Sequence, residues 1–128
     1  MCLDIKDNKW KDNFPERRKC YKVVSIYRGN ICPEFKEGIF NKGINKATTN
    51  KNIRCNDTNQ KYRPYFHAFL TKRAAEQWKG SEYYLIVLPI YINKKDIHCS
   101  GKQSDYVVIV TKKFEILEKD YERVLNEE

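Results

Sequence analysis

The sequence predicts an α+β fold: a mixed or antiparallel sheet of four to six strands with two or three short helices, in one domain spanning residues 1–128. Three patterns carry that expectation. Short runs rich in Val, Ile, Tyr and Phe are bounded by turn residues, one amphipathic segment between two of them carries its own cap and stop, and the C-terminal residues repeat apolar side chains at helical spacing. A chain of 128 residues has room for one self-sufficient core and not for two.

Residues 1–19 are polar, with Leu3, Ile5, Trp10 and Phe14 scattered among charges, and read as a loosely built arm pinned by Trp10. Cys20 to Arg28 reads as a strand, with Val24, Ile26 and Arg28 on one face and Tyr21, Val23 and Tyr27 on the other. Gly29-Asn30 ends it with turn chemistry. In the stretch from Ile31 to Phe40, the segment EFKEGIF holds a short helical turn closing near Gly38. Residues 41–63 contain six Asn and six Lys or Arg and few large apolar residues, which predicts a long basic loop. Loops of that length in a compact domain are mobile or functional when they are not tolerated insertions.

Pro64 to Leu70 alternates Tyr65, His67 and Phe69 with Phe66, Ala68 and Leu70, an interior strand with two apolar faces. Thr71 is placed as the N-cap of a helix whose Ala74, Ala75 and Trp78 point inward, and Gly80 stops it. Tyr83 to Ile92 is the most continuous apolar run and predicts the central strand, with Pro89 marking a bulge or an edge position. Residues 93–103 read as a loop, Asp105 to Leu117 as a further strand broken near Lys112-Lys113, and Tyr121, Val124 and Leu125 as the inward stripe of a final helix.

Composition narrows the function classes. No apolar run approaches the roughly 20 residues of a membrane span, and the N-terminal segment has acids and lysines where a secretory leader carries its apolar stretch. The expectation is a cytoplasmic protein. Cys2, Cys20, Cys32, Cys55 and Cys99 are odd in number and unpatterned, which predicts reduced thiols rather than a disulfide framework. No CxxC pair occurs, and His67 and His98 are not spaced for zinc, so no metal is expected. There is no P-loop, GxSxG or HExxH segment. An N-terminal Cys2 exposed by removal of Met1 is a nucleophile of the kind some hydrolases use, but no partner base lies near it in sequence.

The net charge of +8 is distributed unevenly, for residues 1–64 hold 15 Lys and Arg against 7 Asp and Glu, whereas residues 65–128 hold 10 of each. So one-sided a field favours an anionic partner: a nucleic acid, a nucleotide signal or an acidic protein surface. The candidate contacts are Lys42, Lys46, Lys51, Arg54, Lys61 and Arg63, with Tyr62 and Tyr65 as stacking aromatics. Within its apolar strand, His67 is a hydrogen-bonded core histidine or a general base.

Two resemblances extend this reading. Tyr27-Arg28-Gly29, Phe69-Leu70-Thr71 and Gln103-Ser104-Asp105 follow the order of motifs in the ADP-ribosyltransferase fold, and this segment of the chain resembles it. The resemblance implies an NAD-using enzyme in which Arg28 holds the cofactor's phosphates, Thr71 occupies the hydroxyl place, and Asp105, one methylene shorter than the usual Glu, stabilises the ribosyl cation. Met1-Cys2-Leu3, Tyr21-Lys22-Val23-Val24, Phe66-His67-Ala68-Phe69 and Ala74-Ala75 resemble small uncharacterised proteins of phages and prophages. That resemblance implies a non-enzymatic accessory protein without a cofactor in a host cell's cytosol, engaging an anionic host partner and inhibiting a defence system such as CRISPR-Cas. The enzyme is the alternative to that binding role.

Overall fold

The computed structural model describes residues 3–34, 38–49 and 51–126. Its strands are β1 (Ile5–Asp7), β2 (Arg17–Tyr27), β3 (Asn30–Pro33), β4 (Gly43–Lys46), β5 (Ile53–Arg54), β6 (Lys61–Tyr62), β7 (Phe66–Phe69), β8 (Leu85–Asn93), β9 (Ile97–Gln103), β10 (Tyr106–Thr111) and β11 (Lys113–Ile116). Helix α1 (Trp10–Asn13) is a single turn, and α2 (Lys72–Lys79) and α3 (Glu118–Leu125) have eight residues each. The expected α+β sheet of four to six strands is therefore corrected. The chain is 48% strand and 18% helix, and nine strands join one sheet in the order β1-β9-β10-β7-β2-β8-β11-β4, with β3 added on β2. All of its registered pairs are antiparallel.

The undercount has physical causes. β9 replaces the loop that the sequence predicts over residues 93–103, because its inward positions Cys99, Gly101 and Gln103 are small or polar and hide the two-residue period. The arm expected over residues 1–19 contributes β1, α1 and the first three residues of β2, and the basic loop of residues 41–63 is ordered in β4, β5 and β6. Residues 35–37 of the expected EFKEGIF turn lie outside the described residues, as does Cys2.

Strands β10 and β11 are separated by Lys112 alone, yet β10 pairs with β9 and β7 while β11 pairs with β8 and β4. The sheet is therefore coiled until its two regions meet at Lys112, in the manner of a small barrel. Pro89, in β8, lies opposite Tyr21, and β11 reaches β8 only at Tyr91. The missing amide thus falls beyond the β11 pairing.

Alternation along each strand divides the core in two. Cys20, Val24, Ala68, Leu88, Ile90 and Ile109 pack with Phe40, Phe114 and Val124 of α3. Val23, Phe69, Val87, Val108 and Val110 face the opposite way, onto Ala75 of α2, Leu3 of the arm, and Cys55 and Tyr62 of the β5–β6 hairpin. Burial pushes the Cys20 and Cys99 thiols up to about 12, so both act as packing groups. Thr71 caps α2 as expected, its Oγ1 accepting from the Ala74 amide at 3.1 Å, and Gly80 closes it at φ +62°. Among the described residues no helix is long and apolar enough to cross a membrane.

Candidate nucleic-acid interface

The basic segment folds as short strands whose registers set like charges side by side. In the β5–β6 hairpin Arg54 lies opposite Lys61, and between β4 and β11 Lys46 lies opposite Lys113. Cations directly opposite in a ladder repel, and each pair costs the sheet a few tenths of a kcal/mol up to about 1. None of these four side chains has a carboxylate partner among the described residues, whose ion pairs are Arg17 with Glu115, Lys42 with Glu118 and Glu122, and Arg123 with Asp120.

The two pairs belong to one strip. The Lys6 ammonium donates to the Lys61 carbonyl at 3.4 Å. The Arg63 amide donates to His98 Nε2 at 3.2 Å, and the Tyr65 ring meets the His98 ring edge-on at 5.2 Å between centroids. The His98 pKa is held below its usual value first by burial and then by Lys6, Lys112 and Arg63. Every named charge acting on that imidazole is positive. The Lys112 carbonyl accepts from the Ala47 amide at 2.8 Å, and Tyr65 and Lys46 line one cavity, so the Lys46–Lys113 pair adjoins the His98 end.

Of the residues expected from sequence, Lys46, Arg54, Lys61 and Arg63 fall on this strip, with Tyr65 at its His98 end. Lys42 is turned to the α3 carboxylates, at 3.4 Å from Glu122 and 3.6 Å from Glu118. Lys51 is exposed and lies outside the strip's contacts. Tyr62 is not a stacking platform. It is 2% exposed, and its hydroxyl accepts from the Leu3 amide at 2.8 Å and lies 2.9 Å from His67 Nε2. His67 is accordingly a buried, hydrogen-bonded core histidine. Lys6, His98, Lys112 and Lys113 were missed because they come from three other segments and only the coiled sheet gathers them.

Arg28, Thr71 and Asp105 are not brought to one place. Arg28 (φ +52°) and Asp105 (φ +68°) occupy the tips of the β2–β3 and β9–β10 hairpins. Tyr21 pairs with Phe69, and Phe69 with Val108, so β2 and β10 run parallel across β7. Arg28 lies seven residues beyond Tyr21 and Asp105 three residues before Val108, which separates them along the strands by roughly 30 Å. Thr71 follows the end of β7 near Asp105, and its hydroxyl is engaged in the cap. No family model, curated protein or solved structure matches this chain.

Proposed function

We propose that the protein is a non-enzymatic binder of the phosphate backbone of a nucleic acid, which lies along the strip from Arg54 and Lys61 through Lys6, Arg63 and Lys112 to Lys46 and Lys113. The observation that carries this reading is the placing of cation opposite cation in two separate ladders, an arrangement that costs stability and is relieved by an anion lying between the pairs. A polyphosphate fits better than a single acidic group because the strip is extended and spans elements from four parts of the chain. An acidic protein surface is the competing partner and is separated by the same experiment.

Of the segments that carry the phage-type resemblance, Met1 and Cys2 lie outside the described residues, while Tyr21–Val24, Phe66–Phe69 and Ala74–Ala75 lie within β2, β7 and α2 and so report on the core. If the partner is a nucleic acid of a host defence complex, the same strip is the inhibitory surface. The NAD-dependent alternative lacks support from the geometry, since one dinucleotide would have to reach both Arg28 and Asp105.

The test is binding of a labelled single-stranded oligonucleotide, measured against salt. Replacing Lys46, Arg54, Lys61 and Arg63 together by Ser should reduce the slope of log K against log salt by about 3. A wild-type affinity indifferent to salt, or an unchanged slope in the variant, would overturn the reading.

A further inference from the structure

One edge of β2 is shared by two strands. β7 meets it at Tyr21, opposite Phe69, and β3 takes over from Val24, opposite Pro33. Lys22 and Val23 face the split between them, and a cavity of about 470 Å3 opens there, within the size range of small-molecule sites. Its walls include Phe40, Tyr65, Phe66 and Pro33, and Lys46 stands at its margin. At the base, the Lys22 ammonium lies 5.5 Å from the Phe40 ring centroid and 5.9 Å from that of Phe66, and it donates to the His67 carbonyl at 2.6 Å. Ile39 and Ile44 border the cavity while 53% and 52% exposed, so apolar area at the mouth is left for an occupant to cover.

We propose that this cavity receives one nucleobase, with the attached phosphate on the Lys46 side of the mouth. The inference rests on the backbone-binding reading, because Lys46 belongs both to the strip and to the cavity. A strand following the cations must pass the opening. Tyr65 and Phe66, both half-buried in the cavity lining, supply aromatic surface for a planar heterocycle, and stacking of that kind accepts every base. The Lys22 ammonium is engaged by the His67 carbonyl and the Glu34 charge, so it is Lys46 at the margin, beside the aromatic lining, that favours an anionic, π-rich ligand over a plain hydrocarbon. A base can enter only when unpaired, so the preferred partner is single-stranded, or else a free mononucleotide with the same base-and-phosphate chemistry.

Occupancy has a built-in reporter. Trp78 Nε1 donates to Glu34 Oε2 at 3.2 Å, and Glu34 lines the cavity. Three probes should be titrated while Trp fluorescence and anisotropy are followed: a single-stranded oligonucleotide, a fully abasic strand of equal length, and a mononucleotide. The intact strand should bind about tenfold more tightly than the abasic one and should alone of the two change the Trp78 emission. Thr48→Leu, which narrows the mouth from an exposed position, should erase that difference and leave abasic binding unchanged. Equal binding of intact and abasic strands, with salt dependence intact, overturns the cavity assignment and spares the backbone reading. A mononucleotide that changes Trp78 emission without any strand binding upholds the cavity and overturns the backbone reading. Failure of all three probes overturns both.

Discussion

The Tyr62 hydroxyl stands 2.9 Å from His67 Nε2 while accepting the Leu3 amide proton at 2.8 Å, so one buried phenol joins the N-terminal arm, the β5–β6 hairpin and β7. With the Leu3 amide donating into the oxygen, the phenolic proton is best directed at the imidazole. Tyr62→Phe keeps the ring in its core cluster and removes the oxygen, leaving the Leu3 amide without this acceptor. The expected loss is about 2 kcal/mol, a fall of several degrees in thermal midpoint for a chain of this size. The check is thermal unfolding at neutral pH. A variant as stable as wild type would show that the arm is held by other contacts.

The placing of Tyr62 shows where the sequence was legible and where it was not. Elements defined by local chemistry were readable: β7 and the Thr71-capped α2 lie where residue pattern and caps put them, and β2 and β8 overlap their predicted spans, β2 starting three residues earlier at Arg17 and β8 two residues later at Leu85. Tyr62 was read as a surface aromatic because Asn and Lys surround it, yet its burial is set by the arm's Leu3 and by His67, which no window around residue 62 reports. The same holds for His98, whose cationic neighbours come from β1, the segment after β6, and Lys112. The sheet's size is underestimated because its added strands are three to seven residues long and β9 buries Ser100, Gly101 and Gln103, where a short alternating pattern carries little signal.

The repelling pairs make stability and binding move in opposite directions. Arg54→Glu turns the Arg54–Lys61 pair into an attractive one, and Lys46→Glu does the same opposite Lys113. Each substitution should leave stability unchanged or raise it by up to about 1 kcal/mol, while lowering polyanion affinity by more than loss of a single cation does. Urea unfolding and oligonucleotide binding measured on the same preparations decide the matter. Destabilised variants would show that these cations support the fold.

Gly101 tests how the arm is docked. It lies opposite Lys6 in the β1–β9 ladder, and a Cβ there would run into the Ile5 carbonyl oxygen and approach Leu3 Cδ1 at 2.9 Å. The nearest obstacle is backbone, so the clash cannot be relieved by a rotamer change. Gly101→Ala should therefore release β1 and carry Lys6 away from Lys61. Limited proteolysis should cut within the first residues of the variant and spare wild type, and the salt slope of binding should fall by less than one cation's worth, about 0.7. Equal protease resistance would mean that the strand shifts as a unit to admit the methyl group.

His98 gives the surface a pH signature. Burial, then Lys6, Lys112 and Arg63, hold its folded-state pKa below the ordinary 6.5, and its Nε2 accepts the Arg63 amide, which a protonated ring cannot do. Asp96, two residues earlier, is the nearby acid in sequence. Because the unfolded chain binds the proton more readily, the His98 contribution to stability is complete above about pH 6.5 and is lost as pH falls from there through the folded-state value. The Asp4 carboxylate, held below 3.8 by Asn56 and the Ser104 amide, loses its contribution only in a lower window, so the two effects separate. His98→Gln retains an acceptor for the Arg63 amide and should remove the upper slope, which distinguishes it from His67. Phosphates laid on the strip neutralise the cations that oppose protonation, so an oligonucleotide should raise the His98 pKa, and binding should take up protons near its titration range. An imidazole titration followed by NMR reads this directly. A His98 curve that stays in place when the strand is saturating would move the binding surface away from Lys6, Arg63 and Lys112.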